Sequence, residues 1–164
     1  MRIHDLRTLY NYNSWANARI LDTVAKVPAE SFTTASLGAC NLRDTLVHIL
    51  VTESVWRLRW QGIVPESVEF PDDFPTLESV CTCWREEDQQ LDAFLATLSD
   101  ADLDRPVTYQ RDNGERITRT LWHLLLHVVN HGTQHRSELA LLLTALGHSP
   151  GDLDLIVFVR EQGL

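Results

Sequence analysis

Residues 121–146 read LWHLLLHVVNHGTQHRSELALLLTAL. Leu121, Leu125, Val128, Gly132, His135, Leu139, Leu142 and Leu146 follow one another at alternating steps of four and three. That spacing lines one face of an α-helix and packs it against its neighbours. The run holds no proline and stops at Gly147, a residue suited to the left-handed turn that ends a helix. The spacing predicts a helix from about Thr118 to Leu146, long enough to need other long helices beside it.

Three other segments supply them. A first helical pattern runs from about Asp5 to Val27, where Pro28 ends it, with Leu6, Leu9, Ile20, Leu21 and Val24 as apolar positions. Asn41 reads as an N-cap for a second helix over Leu42 to about Trp60. Its seam is Leu42, Leu46, Ile49, Glu53, Trp56 and Trp60. A third fits Thr76 to Leu98, capped by Thr76. Between the second and third lies QGIVPESVEFPDDFP, whose three prolines make it a long loop. Between the third and fourth, VTYQRDNGERIT fits a small hairpin around Asn113-Gly114. The tail GDLDLIVFVREQGL has an apolar centre and is expected to dock as a short helix or an extended segment. Strand patterns are otherwise nearly absent. The expected fold is all-α, a single domain over residues 1–164 built as a four-helix bundle with long crossover connections. A six-residue echo between Thr45–Leu50 and Thr120–Leu125 reads as chance similarity of amphipathic helices.

Four histidines stand four residues apart in the last helix: His123, His127, His131 and His135. At roughly 100° per residue, His135 falls roughly 30° from the centre of the apolar arc and His131 roughly 70°. On the same scale His127 lies roughly 110° away, and His123, at roughly 150°, is expected to meet solvent or a partner. Phase selects His131 and His135 as the inward pair. An i, i+4 pair of neutral imidazoles chelates Zn, Ni, Cu, Mn or Fe. Gly132, between them, is expected to leave room beside His135 for a third ligand or a substrate. The pair alone also fits a hydrogen-bonded core. His48, midway along the second helix in a similar apolar setting, weighs toward a metal, although it lies roughly 110° from its own seam. Three histidines leave a coordination position for water, as catalytic zinc sites do.

Glu53 stands in the seam of the second helix, where an unpaired carboxylate is costly. It is read as a catalytic candidate, orienting a ligand histidine or acting as general base toward a bound water; the plainer alternatives are a partly solvated end or an arginine partner. Glu138, three residues after His135, is the matching carboxylate on the last helix. The chain has no Glu-x-x-His motif, which argues against a ferritin-like di-iron site.

Composition narrows the partners. With 44% hydrophobic and 23% charged residues the chain has the profile of a soluble globular protein. Its net charge of −9 disfavours nucleic acid and anionic membranes, which want clustered Lys and Arg. MRIHDLRTLY is too polar for a signal peptide, and no apolar run nears the ~20 residues of a membrane span. Cys40, Cys81 and Cys83 form neither a disulfide framework nor a zinc knuckle. A cytoplasmic location is the expectation.

The chain resembles the DinB family, the DinB/YfiT-like metalloenzymes. Three stretches carry the match: LYNYNSWANARILDTV, TLVHILVTESVWRLRW and LLLHVVNHGTQHRSELALLLTALGHSPGDLDLIVF. The specific element is Asn130-His131-x-x-x-His135-Arg136. The resemblance implies a four-helix bundle of the DinB/YfiT-like type holding a divalent transition metal (Zn, Ni, Mn or Fe) on His48, His131 and His135. Ser137 and Glu138 follow His-Arg where the family pattern often has Gly and Gln. That bears on pocket polarity, and so on the substrate, rather than on the ligands. The family's activities imply a metal-dependent transferase or isomerase acting on small molecules with a low-molecular-weight thiol cosubstrate, and its members imply a homodimer. The alternative is a non-catalytic metal-binding stress-response protein.

Overall fold

The computed structural model describes residues 1–65, 67–111 and 113–164; Glu66 of the long loop and Asp112 of the expected hairpin lie outside the described residues. In chain order the elements are α1 (Ile3–Val24), α2 (Ser31–Thr34), β1 (Ser36–Leu37), β2 (Cys40–Asn41), α3 (Leu42–Trp60) and α4 (Leu77–Thr97). There follow β3 (Pro106–Gln110), β4 (Arg116–Thr120), α5 (Leu121–Ala145) and α6 (Leu155–Gln162). The protein is therefore mostly helical, and the expectation of an all-α chain is corrected by two small antiparallel sheets. No helix among the described residues is long and apolar enough to cross a membrane.

The caps act where side-chain chemistry places them. Asn41 accepts from the backbone N–H of Asp44 and starts α3, and Thr76 accepts from that of Ser79 and starts α4. The last long helix begins at Leu121, not Thr118. Arg116–Thr120 instead pair with Pro106–Gln110, where alternating β-branched residues favour a strand. The hairpin turns through Gly114 at φ +84, and the backbone N–H of Arg111 donates to the carbonyl of Glu115. The tail docks as α6, whose Phe158 is buried against Tyr12 and Trp15.

The four long helices pack α1 on α5, α5 on α3, α3 on α4 and α4 on α1. Their apolar residues form two clusters. One holds Tyr10, Trp60, Phe94, Leu121 and Leu125; the other holds Ile20, Leu46, Trp84, Leu139 and Leu142. Between them, at matching heights on every long helix, lie buried polar side chains: Asn13 and Asn17 on α1, Glu53 and Arg57 on α3, Glu87 on α4 and Arg136 on α5. Arg57 and Glu87 form a two-pronged ion pair at 2.6 and 2.8 Å. A polar layer thus divides the hydrophobic core.

α5 is turned slightly from its predicted phase. Arg136, 2% exposed, occupies the buried arc, while His135 sits half-buried on its flank. A buried guanidinium is tolerated there because the polar layer surrounds it with acceptors.

Candidate metal centre

His48 on α3 and His131 and His135 on α5 converge at the edge of the α3–α5 contact. Nε2 of His48 and Nε2 of His131 stand 3.0 Å apart. One ligand atom from each ring lies within 4.8 Å of the others. Metal–nitrogen bonds of roughly 2.0–2.1 Å make such spacing suitable for a shared ion. The helical phase that sets His48 off its own seam explains its place. All three histidines lie on the flanks of their helices, where two elements meet and solvent can enter.

The surroundings of His131 and His48 favour their neutral rings. Burial, together with the neighbouring imidazoles of His135, His48 and His127, pushes His131 down to about 4. Burial, and then His135, lowers His48. Neutral rings retain the lone pair that a metal needs. Nδ1 of His135 lies 2.8 Å from Oε2 of Glu138, a little under one turn further along α5. With Nδ1–H donating to that carboxylate, Nε2 is left free to ligate. The donor set, three imidazoles with one steered by a carboxylate, fits a divalent transition metal.

His127 and His123 stay outside this set. The ring of His127 packs 5.2 Å from Trp56 and 5.9 Å from His131, between centroids. His123 is exposed and lies against Trp122.

Glu53 is 1% exposed. Its Oε1 accepts from Asn13 Nδ2 at 2.6 Å and Asn17 Nδ2 at 3.1 Å, and its Oε2 accepts from Trp84 Nε1 at 3.1 Å. Arg136 Nη1 donates to the Oδ1 atoms of the same two asparagines, at 2.7 and 2.8 Å. Glu53 and Arg136 are therefore linked through two shared amides. Burial pushes Glu53 up to about 7 against the pull of those hydrogen bonds. Gly132 belongs to this layer rather than to the metal site. A Cβ there would lie 2.7 Å from Arg136 Nη1 and 2.9 Å from Asn13 Oδ1. The room that the sequence assigns to a ligand beside His135 is taken by the guanidinium.

A cavity of about 460 Å³ opens onto His48 and His135 and is walled by Leu37, Cys40, Asp44, Thr45, Glu138 and Leu141. The larger groove, about 860 Å³ between α1, α5 and the chain before α6, touches none of the three histidines. The sequence reading missed most of the cavity wall. The usable signal was position: Asp44 and Thr45 precede His48 by one helical turn, so they share its face.

A mostly helical protein with a three-histidine cluster between two long helices is the class that fold and site define. The sequence matches the DinB family over residues 1–163, and the chain belongs to that family. Protein DinB of Bacillus subtilis strain 168 is 24% identical over 163 residues, covering 93% of this chain and 94% of its own. A DinB-like protein of Bacillus cereus ATCC 10987 has a similar solved structure: TM-score 0.71 and 18% identity, covering 92% of this chain and 97% of that one. A histidine-to-alanine mutant of the mycothiol-dependent maleylpyruvate isomerase is similar at TM-score 0.57 and 13% identity, covering 85% of this chain and 63% of that one. At these identities the structures speak for the fold.

Proposed function

We propose that this chain is a single-domain metalloenzyme on a four-helix bundle, holding zinc, nickel, manganese or iron on His48, His131 and His135. We read it as a transferase or isomerase that uses a low-molecular-weight thiol to attack a small electrophile. The observation that carries the metal is the 3.0 Å approach of the His48 and His131 Nε2 atoms, with His135 beside them. The thiol is supported by the likeness to a thiol-dependent isomerase.

When bound, such an ion lowers the pKa of a coordinated thiol, making it a nucleophile at neutral pH. The chain's own residues do the rest. His48 and His131, kept neutral, offer lone pairs. Glu138 fixes the ring of His135. Leu37 and Leu141 give the cavity apolar walls for the organic part of a ligand. Glu53 acts in this reading through position: its oxygens accept from Asn13, Asn17 and Trp84, and it anchors α3 to α1 and α4. We place the protein in the cytoplasm as a homodimer.

Metal analysis of protein purified without a histidine tag tests the first step, with close to one ion per chain expected. Native folding without any metal would remove the reading. The second step is tested on Co²⁺-loaded protein, where an added thiol is expected to produce a sulfur-to-cobalt absorption band and an electrophile to be consumed. Retained metal with no response to any thiol would leave a non-catalytic metal-binding stress-response protein.

A further inference from the structure

The cavity beside the three histidines has a charge pattern that constrains its ligand. Its apolar walls are Leu37, Ala39 and Leu141, its charged walls are Asp44 and Glu138, and among the described residues no lysine or arginine lines it. Of the cations next to it in sequence, Arg136 beside His135 turns inward to Asn13 and Asn17, and the other is Arg43. Its Nε lies 3.0 Å from Asp44 Oδ1 and its Nη2 lies 3.1 Å from Asp72 Oδ1. One guanidinium shared by two carboxylates leaves that trio net negative.

The ion's own charge belongs in this balance. A divalent cation held by the three histidines would be offset by a ligating thiolate, with the carboxylates of Glu138 and Asp44 alongside. Whatever is attached to the ligating sulfur then faces a wall that is partly apolar and net negative. We propose that this pocket takes a small molecule whose tail is uncharged or cationic, and disfavours tails that carry carboxylates. The proposal deepens the reading above: it rests on the metal centre, and its charge preference can be measured without sulfur.

The test uses the full chain loaded with Co²⁺ at low ionic strength, titrated with 2-mercaptoethanol, 2-aminoethanethiol and 3-mercaptopropionate while the sulfur-to-cobalt band is read. The amine thiol is expected to bind roughly tenfold more tightly than the carboxylate thiol. Asp44→Asn is expected to shrink that ratio about threefold at unchanged Co²⁺ content. Comparing the ratio between the two proteins cancels differences in thiol acidity and chelation. A carboxylate thiol that binds as tightly as the amine, or a ratio that Asp44→Asn does not move, overturns the proposal while the thiol reading stands. If no thiol gives a band, the thiol reading falls, and imidazole against azide reads the same preference. A gap favouring imidazole that narrows in Asp44→Asn supports the pocket proposal, and an unmoved gap overturns it. A chain that retains no Co²⁺ ends both.

Discussion

The same two helices build two polar clusters that differ in completeness. α3 supplies His48 to one and Glu53 to the other; α5 supplies His131 and His135 to one and Arg136 to the other. The inner cluster is closed. Glu53, Asn13, Asn17 and Arg136 point donors at acceptors in sequence, and none of their buried side-chain atoms lacks a partner. The outer cluster is open. Its three rings bring nitrogen atoms together at the edge of the helix contact, where the Nε2 atoms of His48 and His131 face each other at 3.0 Å. Buried charge must be matched within the protein, because water cannot do it. A site that takes a ligand must instead keep part of its chemistry unmatched and within reach of solvent. The contrast separates structural polarity from functional polarity.

The largest effect expected from breaking the contrast falls on the closed cluster. Arg136→Ala leaves the buried Oδ1 atoms of Asn13 and Asn17 without their donor and should cost about 1–3 kcal/mol for each, measured by urea unfolding of metal-free protein. A cost near zero would mean that the layer is hydrated and not closed. Glu53 also gives this cluster a pH signature. Its carboxyl is raised from 4.5 to about 7, so between those values the unfolded chain has lost a proton that the folded chain keeps. Stability must therefore fall as pH rises through that window. Taken as the difference between wild type and Glu53→Gln, which isolates this one group, the fall should approach about 3 kcal/mol. A flat difference would show that the asparagines and Arg136 fully offset burial.

The open cluster should respond in the opposite sense, with binding lost and folding kept. His48→Ala, His131→Ala and His135→Ala should each weaken metal binding roughly 100-fold or more, beyond what loss of an outer partner causes, while metal-free unfolding midpoints stay close to wild type. His123→Ala should leave metal content unchanged, since that ring lies against Trp122 on the exposed side of α5. If His123→Ala empties the site, the ligand set is wrong.

How much of this the sequence revealed follows from the same contrast. The long helices were legible because Leu46, Ile49, Val128 and Leu139 repeat at helical spacing and because Asn41, Thr76 and Gly147 mark ends. His131 and His135 were legible as a pair because one helix carries both. His48 was harder, since its relation to them depends on how α3 lies against α5, and it needed the family resemblance. The closed cluster was legible only at Glu53, whose place in the seam called for a partner such as an arginine without saying which. Arg136 looks like a surface residue until Asn13, Asn17 and Glu53 arrive from two other helices, and Gly132 looks like space for a ligand until the guanidinium fills it. The hairpin was legible around Asn113-Gly114, but the end of β4 was not: Thr118 and Thr120 also suit the start of a helix, and their pairing with residues 106–108 is a non-local choice.

Glu138 is where the two kinds of polarity meet, and it gives the smallest predicted effect. It uses the device of the closed cluster, a carboxylate accepting from an N–H, to serve the open one by holding the ring of His135. Its side chain is 42% exposed, so its removal should barely affect folding. Glu138→Gln keeps the size and an amide oxygen to accept from Nδ1–H, but loses the charge that makes the imidazole a stronger ligand. Metal affinity should drop about tenfold, read by competition with a chelator of known affinity, with the unfolding midpoint of the metal-free protein unchanged. An unchanged affinity would mean that helix packing alone orients His135. The open cluster would then owe nothing to hydrogen-bonded carboxylates, and the two clusters would be fully independent in energy despite sharing both helices.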